Sequence, residues 1–226
     1  MVKNREFQAD DKMISLIAND YKFLQVLSRF GIPLGFSDKS IKDVCKDAGV
    51  DCQTFLSVVN FLGNDKKCLP DINHLSLQAL LHYLKQSHIY FLDFYLPSIR
   101  RKLLDGMILK DSDVSFLIIK LFDEYVEIVR AHMEEEETDL FEYVESLIDN
   151  KTLKRKDIPV YSQHHSDVSV KLRELKNIIL KYCPQDSNAN LLNAALYDIY
   201  RCEEELESHC KIEDLMLLPA INNCNH

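Results

Sequence analysis

Two residue pairs in the second half of the chain have the types and spacing that can hold a metal ion. His132 is followed four residues later by Glu136, and His209 is followed four residues later by Glu213. In a helix, the carboxylate of each pair lies roughly 40° around the axis from its imidazole, so both side chains share one face. Imidazole nitrogens and carboxylate oxygens are common ligands of transition metals. These pairs are therefore candidate ligands.

Helical phase decides between the four acidic residues that follow His132. Glu135 lies roughly 60° from His132 and Glu137 roughly 140° from it, on the outer face. The spacing therefore favours Glu136 as the partner, with Glu135 as the second choice.

Two further histidines, His88 and His165, interrupt apolar stripes of the same helical spacing. In an up-and-down bundle, the four histidines of the four stripes would lie within roughly 6 Å of one level. A single inward histidine is typical of a hydrogen-bonded core residue, but buried carboxylates need a cation. A bundle without metal would have to satisfy all six polar groups in another way. The predicted metal ligands are His88, His132, Glu136, His165, His209 and Glu213.

Four imidazoles and two carboxylates, without a thiolate, form a hard site that suits iron or manganese. Each carboxylate could bridge two metal ions, and a solvent bridge would leave an open position on each ion. Open positions indicate chemistry on a small ligand such as O2, NO or peroxide.

Hydrophobic periodicity predicts an all-α protein. Four long helices with short connections indicate a four-helix up-and-down bundle, preceded by a small helical domain. The segment that contains Pro70 is predicted to be a linker. This linker divides the chain into predicted domains at 1–70 and 74–226. The long helices are expected near 76–104, 112–149, 157–181 and 189–218. In the N-terminal part, helices are expected near 12–30 and 52–62, with one between them that starts after Ser37 or Asp38 and covers Ile41 to Ala48.

Composition excludes several classes of protein. The net charge is −9, and the acidic surplus lies entirely in residues 76–226, which makes nucleic acid an unfavourable partner. No apolar run is long enough to cross a membrane, and the N-terminus has no secretory signal, so we expect a cytoplasmic protein. The seven cysteines are expected to be free packing thiols, with Cys210 next to a ligand but pointing away.

The ligand motifs resemble those of hemerythrin-like HHE proteins. HMEEEETDLF (132–141) and HCKIEDLMLLP (209–219) carry the H-x3-E core of that pattern. His165 with Leu172 and Leu175 is similar to the third-helix stretch of the family, and His88 with Leu96-Pro97 is similar to its first-helix signature. The resemblance covers residues 76–220. It implies that the six candidates hold two Fe ions with an oxo or hydroxo bridge.

The segment VLSRFGIPLGFSDKSIKDVCKDAGVDCQTFLSVVNFL (26–62) is similar to the small domain of repair-of-iron-centres proteins. That resemblance implies a di-iron stress protein that reacts with NO or O2 species or aids repair of iron–sulfur clusters, with iron–sulfur proteins as partners. The usual Cys pair after Gly-Ile is missing, because Leu34 and Gly35 follow Pro33 here. Cys45 and Cys52 are either packing residues or replacements for that pair.

A second hypothesis is a non-enzymatic O2 or NO sensor or store, with the N-terminal part as a partner-binding or DNA-binding module. The sequence does not decide whether the protein is an enzyme. Catalytic turnover with a reductant would favour the first hypothesis, and reversible binding would favour the second.

Overall fold

The described chain is a helical bundle with an N-terminal helical part. The computed structural model describes residues 6–63, 72–107, 113–149 and 164–224, without the side chains of 164–170 and 224. Within these ranges there is no β-strand, and a single isolated bridge pairs Lys12 with Ser40. The predicted all-α class is therefore confirmed.

The N-terminal part begins with two short helices where the sequence predicts one helix over 12–30. The break lies at Asp20, whose backbone is extended and whose carboxylate accepts a hydrogen bond from the Lys22 amide at 2.9 Å. This local side-chain-to-backbone bond competes with the helix and ends it. The prediction of one continuous helix was wrong. The helices are α1 (Met13–Asn19) and α2 (Phe23–Arg29).

Two further short helices, α3 (Ile41–Ala48) and α4 (Cys52–Gly63), follow where the spacing predicts helices, but α3 begins at Ile41 rather than directly after Ser37 or Asp38. The Ser40 hydroxyl caps α3 by accepting a hydrogen bond from the Asp43 amide. Gly49 ends α3 with φ of 67°, a left-handed conformation that favours glycine. These caps fix the tight connection between α3 and α4.

That connection brings two thiols together. Cys45 in α3 and Cys52 at the start of α4 lie close enough for each thiol to influence the ionisation of the other. Burial, with the neighbouring Cys52 second, raises the pKa of Cys45 to about 12, and burial also raises the pKa of Cys52. Because the thiolate is the reactive form, both thiols are poor nucleophiles at neutral pH. The structure favours the packing interpretation of these cysteines.

We expect the Cys45 thiol to react with iodoacetamide at pH 7.5 at least about 100-fold more slowly in the folded protein than in denaturant. Its side chain is fully buried, so reaction requires an opening event as well as ionisation. Mass spectrometry of timed digests measures the rate. Equal rates in folded and denatured protein would contradict the burial argument.

The N-terminal helices pack on the beginning of the next helix. The ring of Tyr83 is fully buried, and its centroid lies 4.9 Å from that of Phe30. The Arg29 guanidinium donates a hydrogen bond to the Tyr83 hydroxyl at 3.4 Å. Just before this helix, the Ser76 amide donates a hydrogen bond to the Thr54 hydroxyl at 2.8 Å. Tyr83 therefore belongs to the same core as the N-terminal helices, although it lies beyond the predicted linker.

Four long helical stretches follow a short 3-10 turn (Ile72–His74) in the described chain. They lie close to the predicted bounds, except that the fourth ends at Cys224 rather than near 218. The third is described from residue 164 onwards, so its predicted start near 157 lies outside the described residues. The stretches consist of α5 (Leu77–Ile89) with α6 (Leu96–Gly106), α7 (Asp113–Glu135) with α8 (Glu142–Ile148), α9 (His164–Tyr182), and α10 (Ala189–Ile212) with α11 (Leu218–Cys224).

Within the described residues, three of these stretches are interrupted by a π-helical segment. In a π turn the hydrogen bonds run from i to i+5, so each turn takes about one more residue than in an α-helix. The segment between α5 and α6 ends just before Leu96-Pro97, and Pro97 has no amide proton to donate. The π segments are Tyr90–Tyr95, Glu136–Phe141 and Glu213–Leu217.

The chain divides into two compact units. The first comprises Met1–Ser87, Val144–Thr152 and Lys211–His226, and the second comprises His88–Tyr143 and Leu153–Cys210. The second unit has a continuous apolar core that includes Phe91, Phe122 and Ile199. The predicted domain boundary between 70 and 74 stays a prediction, because residues 64–71 lie outside the described part.

In the described part of the chain, every helix is too short or too polar to cross a lipid bilayer.

Candidate metal centre

Four of the six predicted ligands converge in the structure. Each of His88, Glu136, His209 and Glu213 offers one ligand atom, and these atoms all lie within 4.8 Å of one another. The side chains are almost completely buried, with exposed fractions between 0% and 2%. Buried carboxylates and imidazoles in contact need compensating charge or hydrogen bonds. A bound cation would supply that compensation.

The distances within the group fit ligands of one metal ion. Donor atoms about 2.1 Å from a common ion lie roughly 3 to 4 Å from one another. The Nε2 atom of His88 lies 3.2 Å from Nε2 of His209 and 3.2 Å from Oε2 of Glu136. Nε2 of His209 lies 4.0 Å from the same Glu136 oxygen. Nitrogen and oxygen donors at these separations could hold a divalent transition-metal ion.

The π-helical segments lie at the ligands themselves. His88 precedes the first segment by two residues, and Glu136 and Glu213 are the first residues of the other two. Single π turns inside α-helices occur often at functional sites. Here each one changes the helical phase immediately after a candidate ligand, and therefore sets which residues beyond it face the site.

Aromatic rings pack against two of the imidazoles, those of His88 and His209. The ring of Phe141, which ends the second π segment, stacks on His88 with centroids 5.0 Å apart and planes 23° apart. The rings of Phe91 and His209 pack edge to face, with centroids 6.2 Å apart and planes 80° apart. Phe91 and Phe141 are fully buried. These contacts restrict rotation of the imidazoles and keep this side of the site apolar.

The fifth predicted ligand, His132, contacts the group through Glu136. Its Nε2 atom lies 2.8 Å from Oε1 of Glu136, and its side chain is 10% exposed. Burial disfavours the charged imidazole, but hydrogen bonds to Cys210 and Glu136 outweigh this and raise the pKa of His132 to about 9. A metal ion and this proton would compete for the imidazole.

The influence of Cys210 on the pKa of His132 differs from the sequence expectation. Cys210 was expected to point away from the site, because only its neighbour His209 lies on the inward stripe. The side chain is partly buried and lies near enough to His132 on α7 to raise the pKa of its imidazole. A thiol can contact a site from the edge of a stripe, which helical spacing by itself does not reveal.

The sixth predicted ligand, His165, lies in α9, but its side chain is outside the described residues. The same holds for its neighbour His164. The role of His165 as a ligand stays a prediction.

Glu137 was predicted to point outward, away from the ligands. Its side chain is 47% exposed, but Oε1 accepts a hydrogen bond from Nδ1 of His88 at 2.9 Å. The expectation of a purely outer residue was therefore incomplete. No sequence pattern predicts the contact between Glu137 and His88, because the two residues lie in different helical stretches.

A sequence model of the hemerythrin HHE cation-binding domain matches residues 79–221. No curated protein sequence matches the chain. The matched region contains all six predicted ligands and covers more than half of the protein. Together with the buried His/Glu cluster, the match shows that this chain belongs to the hemerythrin HHE cation-binding family.

Proposed function

We propose that this protein is a non-haem di-iron protein that reacts with NO or O2 species. The observation that carries the proposal is the buried group of His88, Glu136, His209 and Glu213 in a hemerythrin HHE domain. His132 lies against Glu136, and the predicted His165 would complete a set of four imidazoles and two carboxylates. Bound iron would supply a redox-active centre for a diatomic ligand.

The chain's own residues would provide three things to that centre. Glu136 has His88 and His132 on its two carboxylate oxygens, which suits a carboxylate shared between two ions. The buried rings of Phe91 and Phe141 would limit the access of water to the imidazoles of His209 and His88. Burial lowers the local dielectric and strengthens the interaction of the carboxylates with cations.

Repair of iron–sulfur clusters by thiol chemistry in the N-terminal part is less well supported. The usual adjacent Cys pair is absent from the sequence, and burial raises the pKa of both Cys45 and Cys52. Poorly ionised thiols are slow nucleophiles and weak metal ligands. We therefore place the chemistry in the bundle and expect cluster repair by the isolated protein to be weak.

The proposal predicts about two iron ions per chain in protein from iron-supplemented cells, if each bridging carboxylate serves two ions. Metal analysis of protein purified without chelators measures the content. The reduced protein should then consume NO or O2 in anaerobic titrations, whereas the Glu136→Ala variant should not. Iron content near zero after reconstitution, or preferential retention of zinc, would overturn the assignment of iron.

The same titration separates the two hypotheses from the sequence. Repeated turnover with an added reductant would support an enzyme. Stoichiometric binding that reverses when the gas is removed would support a sensor or store.

A further inference from the structure

Glu137 contacts the metal cluster through the outer nitrogen of a candidate ligand. His88 is 1% exposed, and its two ring nitrogens face different partners. Nε2 faces Glu136 and His209, whereas Nδ1 lies 2.9 Å from Oε1 of Glu137. The imidazole thus lies between one carboxylate inside the cluster and one at the protein surface.

The local fold explains how Glu137 reaches this position. Glu136 and Glu137 are the first two residues of the second π segment. Glu136 is fully buried in the cluster, whereas the Glu137 side chain is 47% exposed. Phe141, at the other end of the segment, stacks on the same imidazole. One π segment therefore supplies an inner carboxylate, an outer carboxylate and a stacking ring to the site around His88.

The chemistry of this hydrogen bond favours one tautomer of His88. An ionised carboxylate only accepts hydrogen bonds, so a bond to ionised Glu137 places a proton on Nδ1. A neutral imidazole with Nδ1 protonated has its lone pair on Nε2. That is the nitrogen directed at Glu136 and His209. A carboxylate partner also makes the imidazole a more basic ligand.

We propose that Glu137 is a positioning residue that holds His88 in the Nδ1-protonated tautomer, leaving Nε2 to bind the metal ion. The inference rests on the proposed metal-binding function and deepens it. This role distinguishes Glu137 from an ordinary acidic residue at the surface. An ordinary surface carboxylate would contribute only its charge, which any neighbouring carboxylate could replace.

The test compares three variants of the full-length protein. Glu137→Ala removes the acceptor, and Glu137→Gln keeps an acceptor oxygen without the charge. Glu134→Ala removes the same charge from an exposed position three residues earlier. Competition with a chelator measures the affinity for Fe²⁺. In metal-free protein, ¹⁵N NMR of the imidazoles reports which nitrogen of His88 is protonated, at a pH where the ring is neutral.

We expect Glu137→Ala to weaken Fe²⁺ binding by about 10- to 100-fold and to shift His88 toward the Nε2-protonated tautomer. Glu137→Gln should keep the Nδ1-protonated tautomer and lose less affinity. Glu134→Ala should change neither measurement. Equal losses in Glu137→Ala and Glu134→Ala would overturn the inference in favour of a charge effect, as would an unchanged His88 tautomer in Glu137→Ala.

The two measurements also separate this inference from the proposed function. Failure of the wild-type protein to bind Fe²⁺ would refute the metal site. The tautomer of His88 in metal-free protein would still decide whether Glu137 positions the ring.

Discussion

Replacing Glu136 by alanine should abolish the stabilisation of the protein by Fe²⁺. A ligand present at about 100 times its dissociation constant stabilises a folded protein by about 2.7 kcal/mol, which for a chain of this size is about 5–10 °C in melting temperature. Glu136 lies within 4.0 Å of His88, His132 and His209. Its loss removes the carboxylate that these three imidazoles share.

Thermal melts with and without Fe²⁺ under anaerobic conditions provide the measurement. Glu136→Gln is the second variant, because it keeps the shape of the side chain in a fully buried position while removing the charge. Glu134→Ala is the control, with an exposed carboxylate two residues earlier. A shift of wild-type size in both Glu136 variants would show that the buried cluster is not the metal site.

Replacing Tyr83 by alanine should destabilise the whole protein by about 3–5 kcal/mol, the usual cost of deleting a buried aromatic ring. The ring is fully buried against Phe30 and receives a hydrogen bond from Arg29. Tyr83→Phe removes only that hydrogen bond and should cost about 1 kcal/mol. Urea unfolding measures both values.

The control for Tyr83 is Tyr182→Ala, because the Tyr182 side chain is 62% exposed. Its replacement should change the free energy of unfolding by less than about 0.5 kcal/mol. Similar losses for Tyr83→Ala and Tyr182→Ala would contradict the burial of Tyr83 against Phe30.

A fragment of residues 74–226 tests the same contact in another way. The sequence suggests that this fragment is a complete domain, but it lacks Phe30 and Arg29 and leaves the Ser76 amide without Thr54. We expect it to be less stable than the full chain, or to aggregate through the apolar surface around Tyr83. A fragment with the stability of the full protein would show that the N-terminal helices are dispensable.

Much of this architecture could be predicted because apolar spacing reports directly on buried helix faces. The stripe that contains His88, Phe91 and Ile99 is buried as expected. The break at Asp20 was missed because apolar spacing continues across it, and a single side-chain hydrogen bond ends the helix. Hydrophobic periodicity does not report on side-chain hydrogen bonds that compete with the backbone bonds of a helix.

The candidate site likewise contains residues that helical spacing predicts and residues that it does not. Four inward polar residues could be selected by helical phase, and the structure brings their ligand atoms together. Their role in metal binding, like that of His132 and His165, stays a prediction. Glu137 and Cys210 could not be selected, because their partners His88 and His132 lie on other helical stretches. Such contacts depend on tertiary packing rather than on spacing within one segment.

The π segment Glu136–Phe141 also limits how this site could be transplanted into a designed protein. A design that copies His132 and Glu136 onto an ideal straight α-helix would preserve the first turn of the motif. Beyond Glu136, the missing π turn would rotate every later residue by about one position, or roughly 100°. Phe141 would then no longer lie over the His88 ring, where it stacks at 5.0 Å. A faithful graft must therefore copy the backbone irregularity together with the ligands.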